Sequence, residues 1–138
     1  MTPERQLRTA APRVMIVDDV MLIQRYVADI LEHIGVACTF AEDGAAALIK
    51  ARSEQIDLIV LDLAMPIMDG WEFLHELRAS PATAHIPVVV ITAHGQSGTA
   101  SEVEALGANE YLEKPFRRDQ LLALVEPLIA SDRDQAAG

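Results

Sequence analysis

Five side chains in this 138-residue sequence have the types and positions to do chemistry together: Asp18, Asp19, Asp62, Thr92 and Lys114. Each stands at the end of a short apolar run. Val14–Val17 leads into Asp18-Asp19, and Leu58–Leu61 leads into Asp62. Pro87–Thr92 closes on a threonine, and the run around Tyr111 and Leu112 leads through Glu113 to Lys114. Three carboxylates gathered at one place repel one another and raise each other's pKa values. A hard divalent cation relieves that repulsion, and oxygen ligands without Cys or His favour Mg²⁺ over Zn²⁺. Mg²⁺ keeps several waters and binds phosphate oxygens readily. Lys114 adds a point charge and Thr92 a hydroxyl, the groups that stabilise transferred phosphoryl oxygens. A carboxylate can itself be the nucleophile, so the chemistry indicated is phosphoryl transfer to Asp62.

The elements that must position these groups follow from the apolar patterning. Leu58–Leu61 is an unbroken, partly β-branched run, the signature of a strand buried on both faces of a parallel sheet. Val14–Val17, Val36–Ala41, Pro87–Thr92 and Glu110–Glu113 supply four more strands, with proline tolerated at the first position of its strand. Between them lie helices over Val20–Ile34 (stripe Ile23, Val27, Ile30, Ile34, ended by Gly35), Ala45–Arg52, Gly70–Arg78 and Gly98–Leu106. The helix over Gly70–Arg78 is expected to turn Trp71, Leu74 and Leu77 to the core. A last helix begins near Arg118 on the face Leu121, Leu122 and Val125, and Pro127 is expected to kink or end it. Asp69-Gly70 reads as a turn, because the regularly spaced oxygens of a calcium loop are missing around it.

Five strands alternating with five helices predict an α/β fold, a doubly wound parallel sheet with right-handed crossovers. All strands then point one way, and their carboxyl ends, where open α/β sheets bind ligands, bring the five groups to one edge. The expected organisation is a flexible leader over 1–12, one domain over 13–130 and a polar tail over 131–138.

Composition narrows the partners. Hydrophobic residues make up 51 %, the formal net charge is -10 and the pI is near 4.7. That acidity argues against direct binding to nucleic acid or to an anionic membrane surface. No run reaches the roughly 18 apolar residues of a membrane span. Residues 1–11 lack the apolar core of a signal peptide. The lone Cys38 lies in an apolar run and reads as a buried structural thiol. A cytoplasmic location is expected.

In combination, Asp18-Asp19, Asp62 followed by Met65-Pro66-Ile67-Met68-Asp69-Gly70, Thr92-Ala93 and Lys114-Pro115-Phe116 resemble the receiver domain of two-component response regulators, of the single-domain chemotaxis-regulator type. The resemblance spans about Val14 to Ile129. It implies a flavodoxin-like (β/α)5 receiver fold with Asp62 as phospho-acceptor. Mg²⁺ would be held by Asp18, Asp19 (directly), Asp62 and the backbone carbonyl of Ala64, and Lys114 would contact the phosphoryl group. Thr92 and Tyr111 match the switch pair. The implied donor is a sensor histidine kinase or histidine phosphotransfer protein. Output passes to a target docked on the face of the fourth helix, fifth strand and fifth helix, from a monomer or a phosphorylation-dependent dimer. Ala64 and His94 occupy the positions that flank the path of attacking water. An alanine at 64 and an imidazole at 94 predict a longer-lived acyl phosphate than an amide at 64 would give.

Other readings weigh less. Asp18-Asp19 alone would serve as helix-capping carboxylates. Thr92 alone would be a β-former and Tyr111 a half-buried aromatic. Glu102-Val103-Glu104 reads as a solvated helix face. His33, His75 and His85 have no paired spacing with other ligands. An aspartate-nucleophile phosphatase of the haloacid-dehalogenase type needs a second Asp two residues after the nucleophile, where this chain has Ala64. A flavin module needs a Ser/Thr/Gly-rich phosphate loop where this chain has Asp-Asp-Val-Met. The expectation is therefore a phospho-acceptor switch and not a true enzyme. It is either complete in itself, as the Met-Thr-Pro start and polar end suggest, or a receiver cut from a larger DNA-binding regulator or hybrid kinase.

Overall fold

The apolar runs become the strands of one sheet. The computed structural model describes residues 11–65, 67–93 and 100–137. Its strands are β1 (Arg13–Val17), β2 (Ala37–Ala41), β3 (Leu58–Asp62), β4 (Val88–Ala93) and β5 (Glu110–Lys114). Its helices are α1 (Met21–Glu32), α2 (Gly44–Ser53), α3 (Gly70–Ala79), α4 (Ala100–Ala105) and α5 (Arg118–Ala137). The sheet order is β2-β1-β3-β4-β5 and every neighbouring pair is parallel. β3 is buried along its whole length, whereas the edge strands β2 and β5 are mostly half-exposed. This is the five-stranded α/β sheet that the sequence predicts.

Strand alternation divides the core in two. Val14, Ile16, Leu58, Val60, Val89 and Ile91 meet α1 and α5 through Val27, Leu31, Leu121 and Val125. Met15, Val17, Ile59, Leu61, Val88 and Val90 meet α2, α3 and α4 through Leu48, Phe73, Leu74 and Val103. Because β1 lies between β2 and β3, the winding reverses between β1 and β3. Asp18 and Asp62 emerge at that switch point.

Two aspartates cap the helices that follow β2 and β3. Asp43 accepts from the Ala46 N–H at 2.8 Å, and Asp69 from the Glu72 N–H at 2.9 Å. At the other end of the sheet, Arg78 of α3 is taken up by main chain. Its Nε donates to the Gly107 carbonyl at 2.9 Å. Its Nη1 donates to the carbonyls of Ile86 at 2.6 Å and Ala84 at 3.1 Å, and its Nη2 to Asn109 Oδ1 at 3.2 Å. Asn109 Oδ1 also receives the Val88 N–H at 2.9 Å, so one guanidinium ties the entries of β4 and β5 to α3.

The structure corrects four expectations. Ile34 is exposed, because α1 stops at Glu32 and the chain turns through Gly35 at φ 84°. In α3 Leu74, Leu77 and Trp71 do face the core as expected, but Trp71 is only half-buried and the fully buried aromatic is Phe73. α5 does not end at Pro127 but continues to Ala137, so the polar 131–137 stretch is helical. Pro127 lies on the exposed side, and the buried stripe Leu121, Val125 and Ile129 holds the helix to the sheet on both sides of it. Pro12, expected in the leader, is buried, and its carbonyl accepts from the Ala37 N–H at 2.9 Å. Residues 1–10 of the leader, Pro66, His94 and the first residues expected in the fourth helix, Gly98 and Thr99, lie outside the described residues.

Candidate active site at the carboxyl ends of the strands

The sheet register sets the site. Val17 pairs with Leu61 and Asp62 with Ile91, so Asp18 and Asp62 leave adjacent strands at one level. Thr92 pairs with Glu113 and Ala93 with Lys114, which brings the last two groups to the same edge. Oxygens of Asp18, Asp19 and Asp62 all lie within 4.8 Å of one another. Lys114 Nζ is 3.4 Å from Asp18 Oδ2 and 3.9 Å from Asp62 Oδ2. Asp18 and Asp62 are buried, while Asp19 faces solvent.

Gly70 allows the loop after β3 to close. A Cβ there would stand 2.6 Å from both the Asp62 carbonyl oxygen and the Leu63 Cα, and the Gly70 N–H binds the Leu63 carbonyl at 2.9 Å. Within the same loop Ile67 takes φ 68° and is 83 % exposed, an uncommon conformation for a β-branched residue.

Charge in this pocket is unbalanced, with three carboxylates against one ammonium. Burial, reinforced by the neighbouring Asp18, pushes the Asp62 carboxyl up from 3.8 to about 6. Lys114 and the Ala64 N–H, 3.3 Å from Asp62 Oδ1, pull the other way. Burial also raises the Asp18 carboxyl, against the Val20 N–H at 2.9 Å and Lys114. An oxygen-only donor set of this charge fits a hard divalent cation.

The remaining residues fall around this centre. Thr92 is buried and continues the alternation of Val88 and Val90, placing it on the α2–α4 side of the sheet. Tyr111, paired with Val90, is partly buried against that same side. Asp18, Asp62 and Lys114 share the alternation of the α1–α5 side. Ala64 is exposed two residues past Asp62. His33, His75 and His85 are exposed and take no part in the acidic cluster. Cys38 is half-buried, and burial pushes its thiol up to about 11.

Sequence reasoning missed two neighbours of the site, both on α1. The Gln24 amide donates to the Asp18 carbonyl at 2.6 Å, and Tyr26 Oη donates to the Phe116 carbonyl at 3.0 Å. The Tyr26 ring also packs against that of Phe116, tilted by 48° with centroids 5.5 Å apart. A signal existed for Gln24. It is a polar residue in helical register with Val27 and Leu31, where an apolar one is expected.

Comparison with known proteins agrees with this geometry. The chain is 39 % identical over 118 residues to the DNA-binding dual master transcriptional regulator RpaA of Synechocystis, a match covering 86 % of this chain and 49 % of RpaA. It thus spans about half the length of that regulator. Vibrio cholerae chemotaxis protein CheY4 superposes with a TM-score of 0.78 at 32 % identity, covering 86 % of this chain and 99 % of CheY4. The receiver domain of sensor histidine kinase PA1611 from Pseudomonas aeruginosa, solved with a magnesium ion coordinated in its active-site cleft, superposes with a TM-score of 0.79. It is 28 % identical, and the match covers 88 % of this chain and 99 % of that domain. Residues 14–126 match the response regulator receiver domain, and the chain belongs to that family.

Proposed function

We propose that Asp62 is the phospho-acceptor of a two-component switch. The observation that carries this reading is the buried Asp62 carboxylate, raised to about 6, beside Lys114 Nζ at 3.9 Å and the oxygens of Asp18 and Asp19. Near neutral pH Asp62 is mostly ionised. Its Oδ attacks the phosphorus of a phosphohistidine on a sensor kinase or histidine phosphotransfer protein. The P–N bond breaks, its electrons remain on the imidazole, and an aspartyl acyl phosphate forms. Lys114 neutralises charge on the transferred oxygens. Mg²⁺ held by Asp18, Asp19, Asp62 and the Ala64 carbonyl would supply further neutralisation of those oxygens.

The acyl phosphate adds a charge of about -1.5 to -2 at Asp62. Thr92 and Tyr111, one strand apart on the α2–α4 side, are the residues that respond to it. The altered face of α4, β5 and α5 then selects a target protein. The switch turns over no substrate of its own beyond gaining and losing this group. Exposed apolar side chains next to the site, Met21 and Leu22 on α1 and Ile67 in the acceptor loop, favour a protein as the donor over a small metabolite. Among the described residues no helix is long and apolar enough to cross a membrane. The net charge of -10 weighs against direct contact with nucleic acid, and a phosphohistidine donor of this kind would meet the chain in the cytoplasm.

The test is intact-mass measurement after exposure to acetyl phosphate. A gain of one phosphoryl group is expected in the native chain with Mg²⁺, and none in Asp62→Ala or in EDTA. A gain that persists in Asp62→Ala would refute the assignment. The exposed Ala64 offers no side chain to position water, so Ala64→Asn is expected to shorten the acyl-phosphate lifetime, read as the decay of that mass.

A further inference from the structure

The carboxylates of Asp18 and Asp19 are consecutive, yet they are held very differently. Asp18 is fixed from every side. Its N–H binds the Ala41 carbonyl at 3.1 Å, Oδ1 accepts from the Val20 N–H at 2.9 Å, and Oδ2 faces Lys114 Nζ at 3.4 Å. Asp19 is exposed, and no hydrogen bond to its carboxylate occurs among the described residues. Where that carboxylate stands is therefore set by the main chain before it, above all by the peptide that joins Asp18 to Asp19. The oxygen of that peptide is the one Gln24 holds at 2.6 Å.

Gln24 is itself constrained. It is buried on α1 in the register of Val27, Ala28 and Leu31, and its own N–H is bound to the Val20 carbonyl at 3.1 Å. An amide at a core-facing position costs free energy unless it is hydrogen-bonded, and an aliphatic side chain would fill the same space without that cost. The amide does something an aliphatic side chain could not, which is to orient the peptide between two cation-holding residues. We infer that Gln24 is a positioning residue of the metal cradle, acting on Asp19 through the Asp18 carbonyl. The inference rests on the reading of Asp18, Asp19 and Asp62 as Mg²⁺ ligands. Partners that orient metal ligands from outside typically cost 10–100-fold in affinity when removed.

The test is calorimetric titration of Mg²⁺ into the full chain. Gln24→Met keeps the length and apolar packing of the side chain and removes the donor. It is expected to weaken Mg²⁺ binding about tenfold. Val27→Ala loosens the same helix without touching either aspartate, and it is expected to lower the melting temperature while leaving the Mg²⁺ dissociation constant within about twofold of wild type. Gln24→Met binding Mg²⁺ within about twofold of wild type overturns the inference, as does Val27→Ala weakening it equally. If Gln24→Met does not fold, Gln24→Leu removes the donor at the same position without adding charge and is expected to weaken Mg²⁺ binding about tenfold. A folded Gln24→Leu that binds within about twofold of wild type overturns the proposal. Asp19→Asn separates the two levels. A native chain that takes up no more Mg²⁺ than Asp19→Asn refutes the metal reading together with this inference, whereas native binding that Gln24→Met leaves intact refutes the inference alone.

Discussion

The two ends of the sheet solve opposite charge problems. At the amino end the Arg78 guanidinium, lowered in pKa by burial, is satisfied by neutral acceptors, the carbonyls of Gly107, Ala84 and Ile86 and the Asn109 amide oxygen. At the carboxyl end three carboxylates face one lysine, and two of them are buried with raised pKa values. One end is a finished joint in which the donors point at fixed acceptors. The other keeps an electrostatic debt that a cation can relieve, and the difference separates an end built for stability from one built for binding.

Breaking the finished joint has the largest expected effect. Arg78→Ala strands several main-chain carbonyls at the entries of β4 and β5 and should cost about 4 kcal/mol, read from the urea midpoint. Arg78→Lys should recover less than half, because one ammonium cannot reproduce the planar fork. Next comes the acceptor loop. In Gly70→Ala the new methyl meets the Asp62 carbonyl and the Leu63 Cα at 2.6 Å, both main chain that must shift. A loss of about 3 kcal/mol is expected, with slower labelling of Asp62 by acetyl phosphate.

At the unfinished end the sign reverses. The folded chain holds the Asp62 proton up to about 6, against 3.8 ordinarily, so it binds that proton more tightly than the unfolded chain does. The stability from this group is complete below about pH 4 and is lost as pH rises through about 6. Without Mg²⁺, Asp62→Asn should be more stable than the native chain by about 2 kcal/mol at pH 7, and the difference should vanish near pH 4. Thermal melts across that range in EDTA check it, and added Mg²⁺ should close the gap at pH 7. The smallest expected effect lies at Ile67. An Asn tolerates its positive φ, so Ile67→Asn should stabilise by about 1 kcal/mol, seen as a small rise in the urea midpoint.

How far the sequence could be read follows the same division. Strands whose apolar runs end on a charged residue, such as Leu58–Asp62, are legible because burial on both faces leaves an unbroken pattern and parallel topology sends every run's end to one edge. Local chemistry is legible too, since Asp69-Gly70 reads as a turn and the aspartate caps α3. Contacts between a side chain and distant main chain leave no such trace. Nothing in the sequence around Arg78 announces the carbonyls of residues 84, 86 and 107, because any residue carries a carbonyl. Pro127 misleads for a related reason: its cost is local, whereas the burial of Val125 and Ile129 that outweighs it is tertiary. Trp71 and Phe73 are both apolar near the start of α3, and only the packed core decides that the phenyl ring goes fully inside.

Trp71 gains a use from that outcome. It is the only tryptophan in the chain, one residue beyond Gly70, where an added Cβ would stand 2.6 Å from the Asp62 carbonyl. An indole half in solvent and half against the core emits at a wavelength and intensity that depend on small changes in its hydration. A shift at the end of β3 is expected to reach the first turn of α3 through Gly70, and with it this ring. If the proposed cation uptake and phosphorylation take place at Asp62, the emission of the unlabelled chain should change on adding Mg²⁺ or acetyl phosphate, and an emission that stays the same would show the ring to be uncoupled from the site.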